Sequence, residues 1–178
     1  MNNIILIGFM GCGKSCIGRK LSYKIQKTVI DIDKQIEKEQ NRTISEIFAE
    51  EGEESFRKME TECLQSLVKT SKNQIISTGG GLPMREENRV LLKQLGCVVF
   101  LRVTAETIYE RLHSDTTRPL LQGAEPQRKI AELLEMRAVT YEEAADIIID
   151  VDGKDFEQIL SEIQEALKPY ETSDYEWT

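Results

Sequence analysis

An α/β fold built on a mainly parallel sheet is predicted by three observations. Short apolar runs alternate with stretches of helical apolar periodicity along the whole chain. The first run, Ile4-Ile5-Leu6-Ile7, passes straight into the glycine-rich octapeptide GFMGCGKS at residues 8–15, where a strand turns into a helix. A length of 178 residues suits one domain that covers both faces of such a sheet.

Taken in order, the first strand is expected at 3–7 and the first helix at 14–26, where Cys16, Ile17, Leu21 and Ile25 make an apolar face. A second strand at 28–32 leads into a helical region over 33–71 that contains breaks. There Thr43-Ile-Ser-Glu46 reads as a capping box and Gly52 as a stop signal. Beyond the glycine, Phe56, Met59, Cys63, Leu64, Leu67 and Val68 form a stripe at helical spacing. Strands at 74–78, 97–103 and 146–151 and helices near 85–94, 104–113, 126–145 and 155–167 complete the set. The segment HSDTTRPLLQGAE, 113–125, is polar at first, holds Pro119 and Gly123, and is expected to form a mobile lid. Nothing repeats and no linker divides residues 1–168, so these are expected to be one domain. The acidic tail 169–178 is expected to be disordered.

Composition narrows the class of partner. A formal charge of −8 argues against nucleic acid or an anionic membrane as the main partner. An acidic chain that binds anions must gather its Lys and Arg locally, so basic residues beside motifs carry weight. No basic leader precedes the first apolar stretch, which is too short to span a membrane. The four cysteines form no zinc or C-x-x-C spacing, which points to free thiols and a cytoplasmic protein. Without unexplained apolar stretches, a monomer is the expectation.

Residues 8–15 fit G-x-x-x-x-G-K-[ST], a loop whose backbone N–H groups wrap nucleotide phosphates. Gly8, Gly11 and Gly13 allow the tight turn and the close approach of amides to an anion. Lys14 would reach the β- and γ-phosphates and the Ser15 hydroxyl would ligate Mg²⁺. Cys12 is read as a small tolerated residue in that loop.

Asp31 and Asp33 end the second strand two residues apart, so both can face the cleft at its C-terminal end. One could hold Mg²⁺ through water, and the other accept a hydroxyl proton from a phosphoryl acceptor. Asp33 could instead simply cap a helix beginning at Lys34; beside the phosphate loop the functional reading takes precedence. Arg57 and Glu60 fit either a solvated i,i+3 ion pair or a cleft-facing arginine oriented by the glutamate, and spacing does not decide. Gly79, Gly80 and Gly81 end a strand with more glycine than a turn needs, which suggests backbone close to a ligand. Ser77 and Thr78 stand where nucleotide-binding proteins often have an aspartate, leaving metal coordination to Ser15, Asp31 and water. Arg118 in the lid could neutralise charge on a transferring phosphate, or be an ordinary surface arginine before a proline. Arg137, Tyr141 and Arg111 are weaker signals, and His113 reads as a loop residue.

Together these segments resemble the shikimate kinases, within the nucleoside-monophosphate-kinase-like group of P-loop folds. The matching pieces are GFMGCGKSCIG at 8–18, DID at 31–33, FRKME at 56–60, STGGG at 77–81, NR at 88–89, RPLL at 118–121 and RAVTY at 137–141. The resemblance implies a three-layer P-loop fold with a five-stranded parallel sheet of order 2-3-1-4-5, a shikimate-binding region at about 33–61 and a lid. It implies ATP held by Gly11, Cys12, Gly13, Lys14, Ser15 and Cys16, with Arg111 stacked on adenine and Arg118 brought over by the lid. It implies Mg²⁺ on Ser15 and, through water, Asp31. Shikimate would lie against Asp33, Arg57, Gly79, Gly80, Gly81 and Arg137, with Asp33 as base or orienter and the two arginines on the carboxylate. Lys14, Asp33 and Arg118 would then be the catalytic residues. The implied reaction moves the ATP γ-phosphoryl to the 3-hydroxyl of shikimate. The rivals are another small-molecule kinase of the same fold, such as a gluconate kinase, and a non-catalytic nucleotide-dependent switch.

Overall fold

A computed structural model describes residues 3–113 and 125–172. Five parallel strands form one sheet in the order β2-β3-β1-β4-β5, the order the resemblance implies. They are β1 (Asn3–Ile7), β2 (Val29–Asp31), β3 (Ile75–Ser77), β4 (Gly96–Arg102) and β5 (Ile147–Asp150). Every residue of β1 is buried, as parallel strands covered on both faces require, whereas the edge strand β5 alternates buried and exposed.

The helices are α1 (Lys14–Ile25), α2 (Ile32–Gln40), α3 (Ile44–Thr70), α4 (Glu86–Leu95), α5 (Ala105–Leu112), α6 (Pro126–Ala144) and α7 (Phe156–Thr172). One group joins α1 to α7; another packs α4 on α3 and α6, with α5 against α6. The predicted capping box is present at the start of α3: Thr43 accepts from the Glu46 amide, and Glu46 accepts from the Thr43 amide. Gly52 (φ 82°, ψ 169°) is non-helical, so α3 is two helical stretches that meet at a kink there, in keeping with the expected stop at this glycine. The last helix runs on through Pro169 to Thr172, past its expected end at 167, so the first residues of the expected tail are helical.

One expectation changes sign locally. The second strand stops at Asp31, and that residue caps α2 through its side chain, accepting from the Lys34 amide at 3.4 Å. Asp33, the residue weighed as a cap, lies inside the first turn of α2, and its carboxyl is free for other work. Among the described residues no helix is long and apolar enough to cross a membrane.

The lower rim of the sheet is tied by one buried amide. Asn3 donates through Nδ2 to the carbonyls of Ser71 (3.1 Å) and Leu95 (2.9 Å), and its Oδ1 accepts from the Gln74 amide at 2.9 Å. It therefore closes the entry into β3 and the exit of α4 onto β1. Asn3→Ala leaves those groups buried and unpaired, and should cost about 1–3 kcal/mol of stability. By thermal unfolding this is a fall in Tm of roughly 3–10 °C for a chain of this size; a Tm within about 1 °C of wild type would count against the tie.

Candidate functional site

The phosphate loop leaves the centre of the sheet and enters α1. Gly8, Gly11 and Gly13 all have positive φ (145°, 76° and 103°), which a side chain would strain. Space forbids one as well, since a Cβ on Gly8 would lie 2.8 Å from the Leu101 carbonyl oxygen and one on Gly11 2.8 Å from Leu112 Cδ1. Lys14 folds back into the loop. Its Nζ donates to the carbonyls of Gly8 (2.8 Å) and Phe9 (2.9 Å) and lies 3.6 Å from the buried Cys12 sulfur. The loop's outer side is held by Arg111 of α5, which donates to the carbonyls of Gly11 and Cys12, each at 3.3 Å.

Ser15, in the first turn of α1, donates its hydroxyl to Asp31 Oδ2 at 2.7 Å. Both are hard oxygen donors at the cleft, a set that suits a small cation keeping most of its own water. Among the described residues no group of three or more His, Cys, Asp or Glu side chains could form a metal cage. The Thr78 hydroxyl donates to the Leu6 carbonyl at 3.1 Å.

Opposite the loop lies a second set of charges. Asp33, Arg57, Glu60, Gly79, Gly80, Gly81 and Arg137 share one cleft of about 780 Å³ with Lys14 and Ser15. Arg57 donates through Nη1 to Glu60 Oε2 at 2.7 Å and through Nη2 to Glu53 Oε1 at 2.7 Å. The Glu60 side chain is 0% exposed, so the solvated-pair reading of Arg57 and Glu60 gives way to the cleft-facing one. The glycines are explained by contact. A Cβ on Gly79 would meet Glu60 Oε1 at 2.6 Å and Asp33 Oδ1 at 2.8 Å, and one on Gly81 would meet Arg57 Nη2 at 2.5 Å. Arg137 lies over the Phe9 ring, 5.8 Å from its centroid, and Tyr141 one turn later donates to the Gly80 carbonyl at 2.5 Å.

Two carboxyls in this cleft are held against their usual ionisation. Burial pushes Asp33 up to about 6, with Asp31 adding to the rise and Lys14 and Arg57 opposing it. Burial pushes Glu60 up to about 7, against the pull of Arg57. Asp33 Oδ1 and Glu60 Oε1 are buried and lack a hydrogen-bond partner, the kind of open valence a polar ligand satisfies. In the sequence Glu60 stands out only as a partner for Arg57. Its burial beside Asp33 has no signature in spacing, because Met59 and Cys63 mark its helix's apolar face. Arg118 and residues 114–124 of the expected lid lie outside the described residues.

Comparison with known proteins gives a consistent picture. The family model described as shikimate kinase matches residues 10–168. The shikimate kinase of Thermodesulfovibrio yellowstonii is 43% identical over 171 residues, 96% of this chain and 96% of that one. That of Bacillus cereus is 45% identical over 167 residues, 94% of this chain and 99% of that one. Among solved structures, shikimate kinase from Acinetobacter baumannii in complex with shikimate has a TM-score of 0.89 and 35% identity, covering 97% and 96% of the two chains. A gluconokinase from Sinorhizobium meliloti is alike in fold alone, with a TM-score of 0.53 and 15% identity.

The buried carboxyl makes stability depend on pH in a definite direction. With Glu60 at about 7 folded and near 4.5 unfolded, the native state holds a proton that the unfolded state has released across that interval. Stability from this group is therefore lost as pH rises from about 4.5 to 7. Glu60→Gln should flatten that part of the Tm profile and, at pH 8, add roughly 1–3 kcal/mol of stability. Parallel wild-type and variant profiles from pH 4.5 to 8 would overturn the assignment.

Proposed function

The chain belongs to the shikimate kinase family, and from that premise we propose that its cleft transfers the γ-phosphoryl of ATP to the 3-hydroxyl of shikimate. The observation that carries this reading is a phosphate cradle and a carboxylate-and-hydroxyl pocket facing each other in one cleft. The fold is that of an ATP-dependent kinase.

The loop amides and Lys14 hold the phosphates, and Lys14 exchanges its bonds to the Gly8 and Phe9 carbonyls for phosphate oxygens. Ser15 and Asp31 would hold Mg²⁺, directly and through water, and the ion would supply neutralisation of the phosphate charge. Arg111 supports the adenine side, and Arg118 belongs to the transferring phosphate on the family resemblance alone.

On the acceptor side, Arg57 and Arg137 take the carboxylate of shikimate. The two glutamates on Arg57 differ in a useful way. Glu60 is buried and stays, while Glu53 is 62% exposed in its side chain, an i,i+4 partner that an incoming carboxylate displaces at little cost. Ring hydroxyls meet Asp33 and the backbone of Gly79, Gly80 and Gly81. Asp33, raised to about 6, is a competent base near neutrality. It accepts the proton of the 3-hydroxyl as that oxygen bonds to phosphorus, while the bond from phosphorus to the ADP oxygen breaks and the electron pair leaves with ADP. Exclusion of water protects ATP from hydrolysis during the transfer. Four unpaired cysteines support a cytoplasmic setting.

ADP release in the presence of Mg²⁺ tests the reading directly, with shikimate, gluconate, nucleoside monophosphates or no acceptor. Release should depend on shikimate; acceptor-independent release would favour a switch, and release with gluconate alone would replace the acceptor. Asp33→Asn should lower kcat by about 10²-fold or more while ATP affinity stays within about twofold. Near-wild-type turnover in that variant would remove Asp33 from the proton transfer.

A further inference from the structure

Residues 88–89 match the family without any role attached, and Asn88 does not line the cleft. It is nevertheless 0% exposed, and a buried amide is tolerated only where its groups are paired. Both are. Asn88 Nδ2 donates to the Leu82 carbonyl at 2.9 Å, and its Oδ1 accepts from the Thr61 hydroxyl at 2.8 Å. A carbonyl can only accept, so the amide has one possible orientation. The single Thr61 proton has a second acceptor, the Arg57 carbonyl at 3.1 Å, but that oxygen lies four residues back in the helix's own ladder and Asn88 is nearer.

The two partners of Asn88 lie directly behind two walls of the acceptor pocket, each next in sequence to a residue that lines it. Thr61 adjoins Glu60 and sits one turn beyond Arg57 on α3. Leu82 directly follows Gly81 and begins the short 3-10 turn Leu82–Met84. Arg89 extends the same fastening, donating through Nη1 to the carbonyls of Pro83 (3.0 Å) and Met84 (3.3 Å). The clearance between the walls is narrow, since a Cβ on Gly81 would lie 2.5 Å from Arg57 Nη2. A shift of either wall changes the distance from the glycine backbone to the guanidinium.

We propose that Asn88 is a positioning residue for the acceptor half of the site, fixing the 79–82 backbone against Arg57 and Glu60 on α3, with Arg89 in support. The proposal rests on the reading of that half as the shikimate pocket. It separates Asn88 from an ordinary core residue because neither of its bonds reaches the phosphate loop.

Asn88→Ala should raise the KM for shikimate about tenfold or more, with the KM for ATP within about twofold, in assays well below the variant's Tm. Thr61→Val, which removes the hydroxyl at nearly constant volume, should move the same constant by a smaller factor. It carries the test should the Asn88 variant fold poorly. The double variant should show less than the product of the two single effects, because both break one connection. Hydrogen exchange without either substrate provides an arm free of the substrate assignment. Amides of 79–84 should exchange faster in the variants, with those of 8–15 unchanged. Parallel rises in both KM values, a lower Tm with both KM values unchanged, or a uniform rise in exchange across the chain would overturn the proposal. Absence of any shikimate-dependent turnover in the wild type would sink the substrate reading instead, and the exchange arm would still decide the role of Asn88.

Discussion

Two glycine loops touch at the top edge of the sheet, and the rest of the site is arranged around that contact. A Cβ on Gly80 would sit 3.2 Å from the Met10 amide nitrogen and 3.4 Å from the Gly8 carbonyl oxygen. The phosphate loop and the loop after β3 are therefore in backbone contact, with no side chain between them. This is possible because β1 and β3 are adjacent and parallel, in register from Ile4 opposite Ile75 to Leu6 opposite Ser77, so their C-terminal ends open at one level. Crevices of open α/β sheets form at such strand ends. The close contact fixes the separation of donor and acceptor before any ligand arrives, and phosphoryl transfer depends on that separation more than on covalent chemistry.

The same contact forces charge into a small volume. Lys14, Asp33, Arg57 and Glu60 face one cleft, and two carboxylate oxygens there have no hydrogen-bond partner. Isolated burial of that kind opposes folding. The apolar core beneath offsets it, with β1, most of β4 and the inner faces of α1 and α3 buried in one continuous cluster. Stability resides in the sheet and strain at its edge, the distribution expected where a site is preorganised at the expense of local stability.

The fold was legible because each local signal agreed with the global one. The apolar run before GFMGCGKS, the capping box at Thr43 and the alternation of strand and helix all point the same way, and the strand order came with the family resemblance. The phosphate loop was legible for a second reason, since each of its glycines answers a backbone or contact demand that only glycine meets. Legibility failed where function depends on direction. Asp31 and Asp33 both line the cleft, as their spacing suggests, but not from one strand face. The chain turns into α2 between them, so Asp31 ends the strand and also caps the helix, while Asp33 reaches the cleft from the helix's first turn. Glu60 and Asn88 are polar residues on helices, which spacing alone assigns to the surface. What makes each of them matter is a neighbour distant in sequence: Asp33 and Gly79 for one, Thr61 and Leu82 for the other.

An acidic chain that binds two anions must solve a charge problem locally, and the arrangement of Arg57 shows one solution. A lone buried guanidinium would be costly to desolvate, and a fully neutralised one would have nothing left to offer a carboxylate. Glu60 supplies a partner whose own ionisation is suppressed by burial, so it anchors the guanidinium while cancelling only part of its charge. Glu53 completes the neutralisation from the solvent side, where the pair is weak and exchangeable. The site thus stays near electrical balance without ligand, and a substrate carboxylate in the place of Glu53, as proposed, would restore that balance. Net charge of the chain has little influence at that distance, because the exposed acids elsewhere are screened by salt while these few groups are not. The composition that argued against nucleic acid is therefore compatible with tight anion recognition, provided the cations are placed by packing rather than by number.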